Sequence, residues 1–218
     1  IYEQPDVDDI EYIFKHALTQ EVAYNSLLME RRKHIHERAA QATESLFAAS
    51  LADHYPDLAR HYERSGNVPK AVNYLHLAAQ QTMDRTAYVE AAGQLSTALD
   101  LLGTQPENSE RDRNEIAIRF SLALCLGIGA GDLGASVHVL EAACELSEKL
   151  GDDATLFEVL SLLAFVSSVR LEHQKANDLF KRALEIASIR RDSEMGGHIR
   201  TWRGYTYLYE GNFMAAIG

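Results

Sequence analysis

The chain has 218 residues, 46% hydrophobic and 24% charged, with 32 acidic against 21 basic side chains and a net charge of −11. That balance disfavours nonspecific attraction to nucleic acid or to anionic lipid, and no apolar run approaches the ~20 residues needed to span a bilayer. Two cysteines, Cys125 and Cys144, lie in small-residue helical contexts and read as buried free thiols, which suits a reducing cytosol.

Residues 1–9 read as a polar lead-in. Glu11 to His16 alternates, with Tyr12 and Phe14 on one face and Ile13 and Lys15 on the other, which predicts a short strand. Ala17 to Met29 predicts a helix that buries Leu18, Val22 and Leu28. A second helical pattern covers 30–48, where Ile35, Ala39, Ala42 and Leu46 share a stripe and Arg31, Lys33, Glu37, Arg38 and Glu44 lie opposite. From about residue 51 the pattern predicts helices near 52–65, 68–84, 87–102, 111–129, 134–150, 153–170, 173–190 and 194–210, with another starting at 213. Ser65-Gly66-Asn67 supplies a left-handed turn, with Pro69 in the first turn of the next helix. Gly103 to Glu110 is a loop, and Gly151-Asp152-Asp153 ends one helix and caps the next. The chain starts at Ile1 and stops at Gly218 inside a predicted helix, so a piece of a longer protein is expected.

A spacing comes back along these helices. Ala164, Leu171, Ala176, Phe180 and Ala183 stand at offsets 0, 7, 12, 16 and 19. Forty residues earlier Leu124, Gly127, Gly131, Ser136, Leu140 and Ala143 fill offsets 0, 3, 7, 12, 16 and 19, and forty residues later Gly204, Tyr207, Gly211 and Ala216 fill the first four. Ala59, Tyr62, Gly66, Ala71, Leu75 and Ala78 form a copy out of phase with these. A pair anchored at Ala79 and Ala91 overlaps that copy, and its register stays open. Self-similarity at this period means stacked helix pairs in place of one closed core. Small residues are needed where antiparallel axes cross closely, and the Ala and Gly slots supply them.

The offsets resemble the tetratricopeptide repeat. The small and Gly slots match, the family's Trp and Pro are missing, and the period of forty exceeds the family's 34. The resemblance implies an all-α, right-handed solenoid of helical hairpins over 51–218, its last repeat truncated, behind a short connector at 1–50, with a remnant of a winged-helix-like segment as an open alternative for that connector. Carrying the family's groove positions across gives Arg60, Glu158, Phe165, His198, Tyr205 and Tyr209 as partner-binding residues.

The run from Tyr12 to Tyr24, with Leu27, Leu28, Arg31, Arg32 and His36, is similar to a stretch of large bacterial signalling proteins. These join a class III adenylate/guanylate cyclase domain, a signal-transduction ATPase with numerous domains, and a tetratricopeptide-like tail. Leu58-Ala59-Arg60-His61-Tyr62-Glu63, Gly66-Asn67, Lys70-Ala71 and Ala87-Tyr88-Val89-Glu90-Ala91 follow in matching order. The resemblance implies a connector after an ATPase core and the start of the repeat tail, with His16, Arg31 and Arg32 as interdomain contacts. It implies a cytoplasmic, regulatory, protein-binding role, with the parent's output domain either a cyclase or a DNA-binding module.

Candidate chemistry is thin. Gly129 to Gly134 fits GxGxxG in letters, but the preceding run is helical in spacing and Gly131 fills the repeat's turn slot. No GxxxxGK[ST] loop is present, so the segment is not expected to bind ATP. His34 and His36 point to different sides of a helix, and the position four after His36 is Ala40, which does not suit a zinc helix. Arg31, Arg32, Lys33 and Arg38 lack interleaved aromatics and read as a helix face or a docking surface for an acidic partner domain. No catalytic residue, metal or cofactor is expected, and the partners are a protein or neighbouring domains of the same chain, not nucleic acid or membrane.

Overall fold

The computed structural model describes residues 2–3, 12–13, 16–190, 197, 204 and 207. Contacts divide the chain into two units, residues 1–71 and 72–218.

The first unit opens with two short antiparallel strands, β1 (Tyr2–Glu3) and β2 (Tyr12–Ile13), with Tyr2 opposite Ile13 and Glu3 opposite Tyr12. The expected strand is present within its range, and its partner falls in the stretch read as a polar lead-in. Helices α1 (Ala17–Asn25) and α2 (Met29–Leu46) follow, then a 3₁₀ turn at Leu51–His54 and α3 (Tyr55–Ser65) with Pro56 in its first turn. Helix α1 ends earlier than the sequence predicts. Its end is fixed by the Arg32 guanidinium, which donates to the Asn25 carbonyl at 2.7 Å and the Leu27 carbonyl at 3.0 Å, groups that a helix terminus leaves unpaired.

The expected buried faces of these two helices are not the observed ones. Leu18, Val22 and Leu28 are 70%, 62% and 80% exposed. On α2 the residues buried are His36 and Ala40, while Ile35 and Leu46 face outward. The physical reason is polar: His36 is bonded on both sides and α2 packs on α3 through that face, so a stripe of apolar letters misplaces the register by one residue. Glu37 accepts from Ser65 Oγ at 2.8 Å and Asn67 Nδ2 at 3.1 Å, and Glu44 holds Lys70 Nζ at 2.7 Å, pinning α2 to the turn after α3.

Helix α4 (Val68–Asp84) carries the unit boundary. In the second unit α5 (Tyr88–Gly103), α6 (Ser109–Leu124), α7 (Leu133–Leu150), α8 (Asp153–Val169) and α9 (His173–Arg190) follow, each packed on the next. Asn108, Asp132 and Asp152 cap α6, α7 and α8 through their side chains. Residues 197, 204 and 207 are helical, within the expected 194–210, whereas the helix expected from 213 lies outside the described residues. The fold is all-α and tetratricopeptide-like, apart from the small strand pair.

The repeat frame is finer than forty residues. Left-handed backbone among the described residues occurs at Gly66, Thr86, Gly131, Gly151 and Leu171, with φ of 83°, 60°, 65°, 66° and 65°. Each stands seven after a frame start: Ala59, Ala79, Leu124, Cys144 and Ala164. The starts are 20 apart, except that 45 residues separate Ala79 from Leu124, and the surplus of five matches the five-residue loop 104–108 between α5 and α6. The unit of repetition is one helix and its turn. This fixes the register around Ala79, whose frame continues through Ala91, Leu95 and Ala98, all fully buried.

Where the frame departs from Ala or Gly, the structure supplies a partner. Ser136 takes the small slot on α7, and its hydroxyl donates to the Ala123 carbonyl at 2.8 Å. That carbonyl lies just before Cys125–Ala130, where the helix widens to π geometry and the backbone register shifts. Gly129 in this π segment has no room for a side chain, because a Cβ there would meet Tyr88, including its backbone.

Candidate interaction surface

Alternate helices of the second unit share a row, and α4, α6 and α8 together line a cavity of about 350 Å³. The spacing on each helix explains this. His76 and Gln80 are one turn apart on α4; Arg113, Ala117 and Ser121 follow at steps of four on α6; Thr155, Glu158 and Val159 lie on one side of α8. Ile116 and Val159 are buried and, with half-buried Phe120, give the cavity an apolar floor.

Its polar groups divide into committed and uncommitted ones. His76 Nε2 lies 3.2 Å from Ser121 Oγ and 3.4 Å from Gln80 Nε2. Burial pulls the imidazole below its ordinary pKa toward the neutral form. Asp152 accepts from the Thr155 amide at 3.2 Å and its hydroxyl at 2.9 Å, and these bonds hold its carboxyl below the usual range. Arg113 and Glu158 are exposed and make no hydrogen bond or ion pair with another described residue.

Of the sequence-derived groove residues, Glu158 lies in the cavity wall. Phe165 is half-buried, seven residues further along α8 and outside the cavity lining. Arg60 is on α3 in the first unit, exposed and paired with Asp57 at 2.8 Å. His198, Tyr205 and Tyr209 lie outside the described residues. His76, Arg113 and Phe120 were missed; the signal available was the polar spacing of His76 with Gln80 and of Arg113 with Ser121, and for Phe120 its place four residues after Ile116.

The same helix carries a second feature that sequence reasoning missed. Asp112 is 2% exposed, yet it meets Lys149 Nζ at 3.0 Å and Arg111 Nη1 at 3.4 Å. Glu115, also buried, meets Arg111 at 3.2 Å and Arg119 at 2.6 Å. Buried carboxylates need such partners, and this network ties the start of α6 to the end of α7.

In the first unit, three helices meet in a chain of polar side chains. Tyr24 Oη of α1 lies 3.0 Å from His36 Nε2 of α2, and His36 Nδ1 lies 2.9 Å from His61 Nδ1 of α3. The Arg32 guanidinium stacks 4.8 Å over the Tyr24 ring. Burial, followed by neighbouring charges with His61 and Arg60 foremost respectively, pushes both imidazoles below their ordinary pKa. His16 precedes α1 without capping it through its side chain, although its carbonyl accepts from Thr19 N at 3.0 Å. Arg31 is exposed, whereas Arg32 is occupied with the end of α1.

Among the described residues no group of three or more His, Cys, Asp or Glu is placed to hold a metal, and no helix is long and apolar enough to cross a membrane. Gly129 to Gly134 is an inter-helix turn: Gly131 is left-handed and Asp132 caps α7, with a helix where a dinucleotide site needs a strand.

No protein-family model matches the chain. An uncharacterized protein of Rhizobium meliloti (strain 1021) is 29% identical over 178 residues, which is 82% of this chain and 17% of that protein. The chain is thus similar to a small part of that relative. Among solved structures, BtubC (BKLC) from P. vanneervenii is 16% identical with a TM-score of 0.59, covering 87% of each chain. A protein of TPR-like repeats from Podosopora anserina, named for the kinesin light chain, is 16% identical with a TM-score of 0.65, covering 86% of this chain and 90% of that one. At these identities the likeness establishes the fold: the chain folds as tetratricopeptide-like helical repeats.

Proposed function

We propose that this chain is a protein-interaction and regulatory module of a larger bacterial signalling protein, and that the face made by α4, α6 and α8 receives a segment of a partner protein or of a neighbouring domain. The observation that carries this reading is the pair of uncommitted charges, Arg113 and Glu158, set over a floor of Ile116, Phe120 and Val159. A buried apolar floor with unspent polar groups at its rim is the usual anatomy of a recognition site. Phe165, with His198, Tyr205 and Tyr209 beyond it in sequence, would extend the surface, and Arg60 is a separate candidate contact on α3. Residues 1–50 would act as the connector from an ATPase core, with His16, Arg31 and Arg32 toward it, and 51–218 as the repeat tail.

The resemblance of the stretch from Tyr12 to His36 favours a parent with a class III nucleotide cyclase and a cytoplasmic location. The same layout in a regulator with a DNA-binding output is the second reading. In both, this segment itself does no chemistry, uses no cofactor and touches neither nucleic acid nor membrane.

The test is titration of the chain with the neighbouring domains of its parent. Arg113→Ala with Phe120→Ala should weaken binding about tenfold, the scale of a modest interface anchor, with the helical circular dichroism unchanged. Unchanged affinity rejects the surface, and clear ATP turnover by the chain alone rejects the absence of activity.

A further inference from the structure

The chain Tyr24–His36–His61 links α1, α2 and α3 through one line of hydrogen bonds. Among the described side chains of α1, Tyr24 is the one that is not exposed. Among the described side chains Arg32 also holds that helix, through the Asn25 and Leu27 carbonyls and the Tyr24 ring. Leu18 and Val22 contribute little, since both face outward. The attachment of α1 is therefore polar, and it depends on where protons sit.

Proton accounting shows how. With the Tyr24 hydroxyl donating to His36 Nε2, the His36 proton sits on Nδ1 and is donated to His61 Nδ1. Both rings are neutral in that arrangement. One added proton can be absorbed: His36 becomes a donor at both nitrogens and the Tyr24 hydroxyl turns to accept. A second proton cannot, because it places an N–H on His61 Nδ1 against the N–H of His36 at 2.9 Å. His36 is 7% exposed, so water relieves little of the charge on its side of the pair.

The groups around the pair add to the effect. Arg60 and Arg64 from α3 oppose further positive charge, and Asp57, which favours it, is already paired with Arg60. On α2, Arg32 lies over Tyr24, and the Glu37 carboxylate is occupied by Ser65 and Asn67.

We propose that Tyr24, His36 and His61 form a latch that keeps α1 on the α2–α3 hairpin at neutral pH and lets it go on acidification. Both imidazoles lie below the ordinary value in the folded chain. The unfolded or released form binds protons from about pH 6.5 downward, so the hold is complete above that pH and weakens as pH falls toward the depressed values. Release would free the connector end of the chain, with the exposed Leu18 and Val22, to dock elsewhere.

The experiment is hydrogen exchange of the full chain, followed over residues 17–28 at about pH 7.5 and about pH 5 and corrected for intrinsic rates. Protection of α1 should fall about tenfold or more at the lower pH, while that of α8 stays put. His61→Gln removes one cation and should keep α1 protected at both, whereas Tyr24→Phe should lose protection at both. An acid response that persists in His61→Gln, or is missing from the parent chain, overturns the latch. Ring titration by NMR on the unaltered chain gives a second reading: both imidazoles should titrate below about 6.5, and either one titrating above it overturns the proposal.

Discussion

Thr86 occupies a place that the frame reserves for glycine. Its φ of 60° matches that of Gly66, Gly131 and Gly151 at the same offset. A β-branched residue is strained in left-handed backbone, at about 1–2 kcal/mol for an ordinary L-residue. Thr86 is exposed, and its hydroxyl makes no hydrogen bond to another described residue, so little packing offsets that cost. Its amide donates to the Met83 carbonyl at 2.8 Å, and a glycine keeps that bond. Glycine gives back about 0.4–1 kcal/mol through the freedom it adds to the unfolded chain. Thr86→Gly should therefore stabilise the protein by about 0.5–1 kcal/mol. Thr86→Ala keeps the left-handed strain and should gain much less. In urea, with a slope of about 1–3 kcal/mol per M, the midpoint should rise by roughly 0.2–1 M for glycine. A midpoint that falls, or one that alanine raises equally, would show that the turn geometry is not what strains Thr86.

Gly129→Ala should lower stability by about 1–3 kcal/mol, as overpacking against Tyr88, and a thermal melt followed by circular dichroism reads it. Ala176→Leu, at a fully buried helix crossing, should cost a similar ~1–3 kcal/mol in the same assay. Asp112→Ala removes a buried carboxylate from its hydrogen-bonded partners and should cost about 1.5–3 kcal/mol, with high salt failing to mimic the loss. Burial foremost, with Glu148 next, pushes the Cys144 thiol up to about 12. Maleimide at mildly alkaline pH should thus leave it unlabelled until denaturant is added.

The repeat helices were legible because their signal is steric. An Ala at a crossing and a turn residue seven positions on recur wherever two helices meet closely, and these letters tolerate few substitutes. The helix breaks at 85–86 and 171–172 were legible, but Thr86 and Leu171 gave no sign of left-handed backbone, because the backbone and not the residue type carries that geometry there. The forty-residue period likewise masked a twenty-residue one, since a helix and its successor use the same slots. The connector was harder to read. Its buried face holds His36, a residue that sequence patterns score as polar, and its apolar residues Leu18, Leu28 and Leu46 are exposed. Burial there follows hydrogen-bond partners 12 and 25 residues away, at Tyr24 and His61, which no local window contains.

The same distinction separates the two units in kind. In the second, Ala and Leu contacts dominate the core, and the buried carboxylates Asp112 and Glu115 are paired with basic side chains. Apolar contacts of that sort change little with pH, so this unit suits a fixed recognition surface. In the first, α1 is held by two imidazoles, a phenol and a guanidinium, while its Leu18 and Val22 face outward. A helix tethered that way answers to protonation and has a surface to offer once freed, whereas a helix seated on leucines does not. The polar attachment of α1 and the apolar seating of α8 are therefore different physical devices, and a change of pH should separate them in one chain.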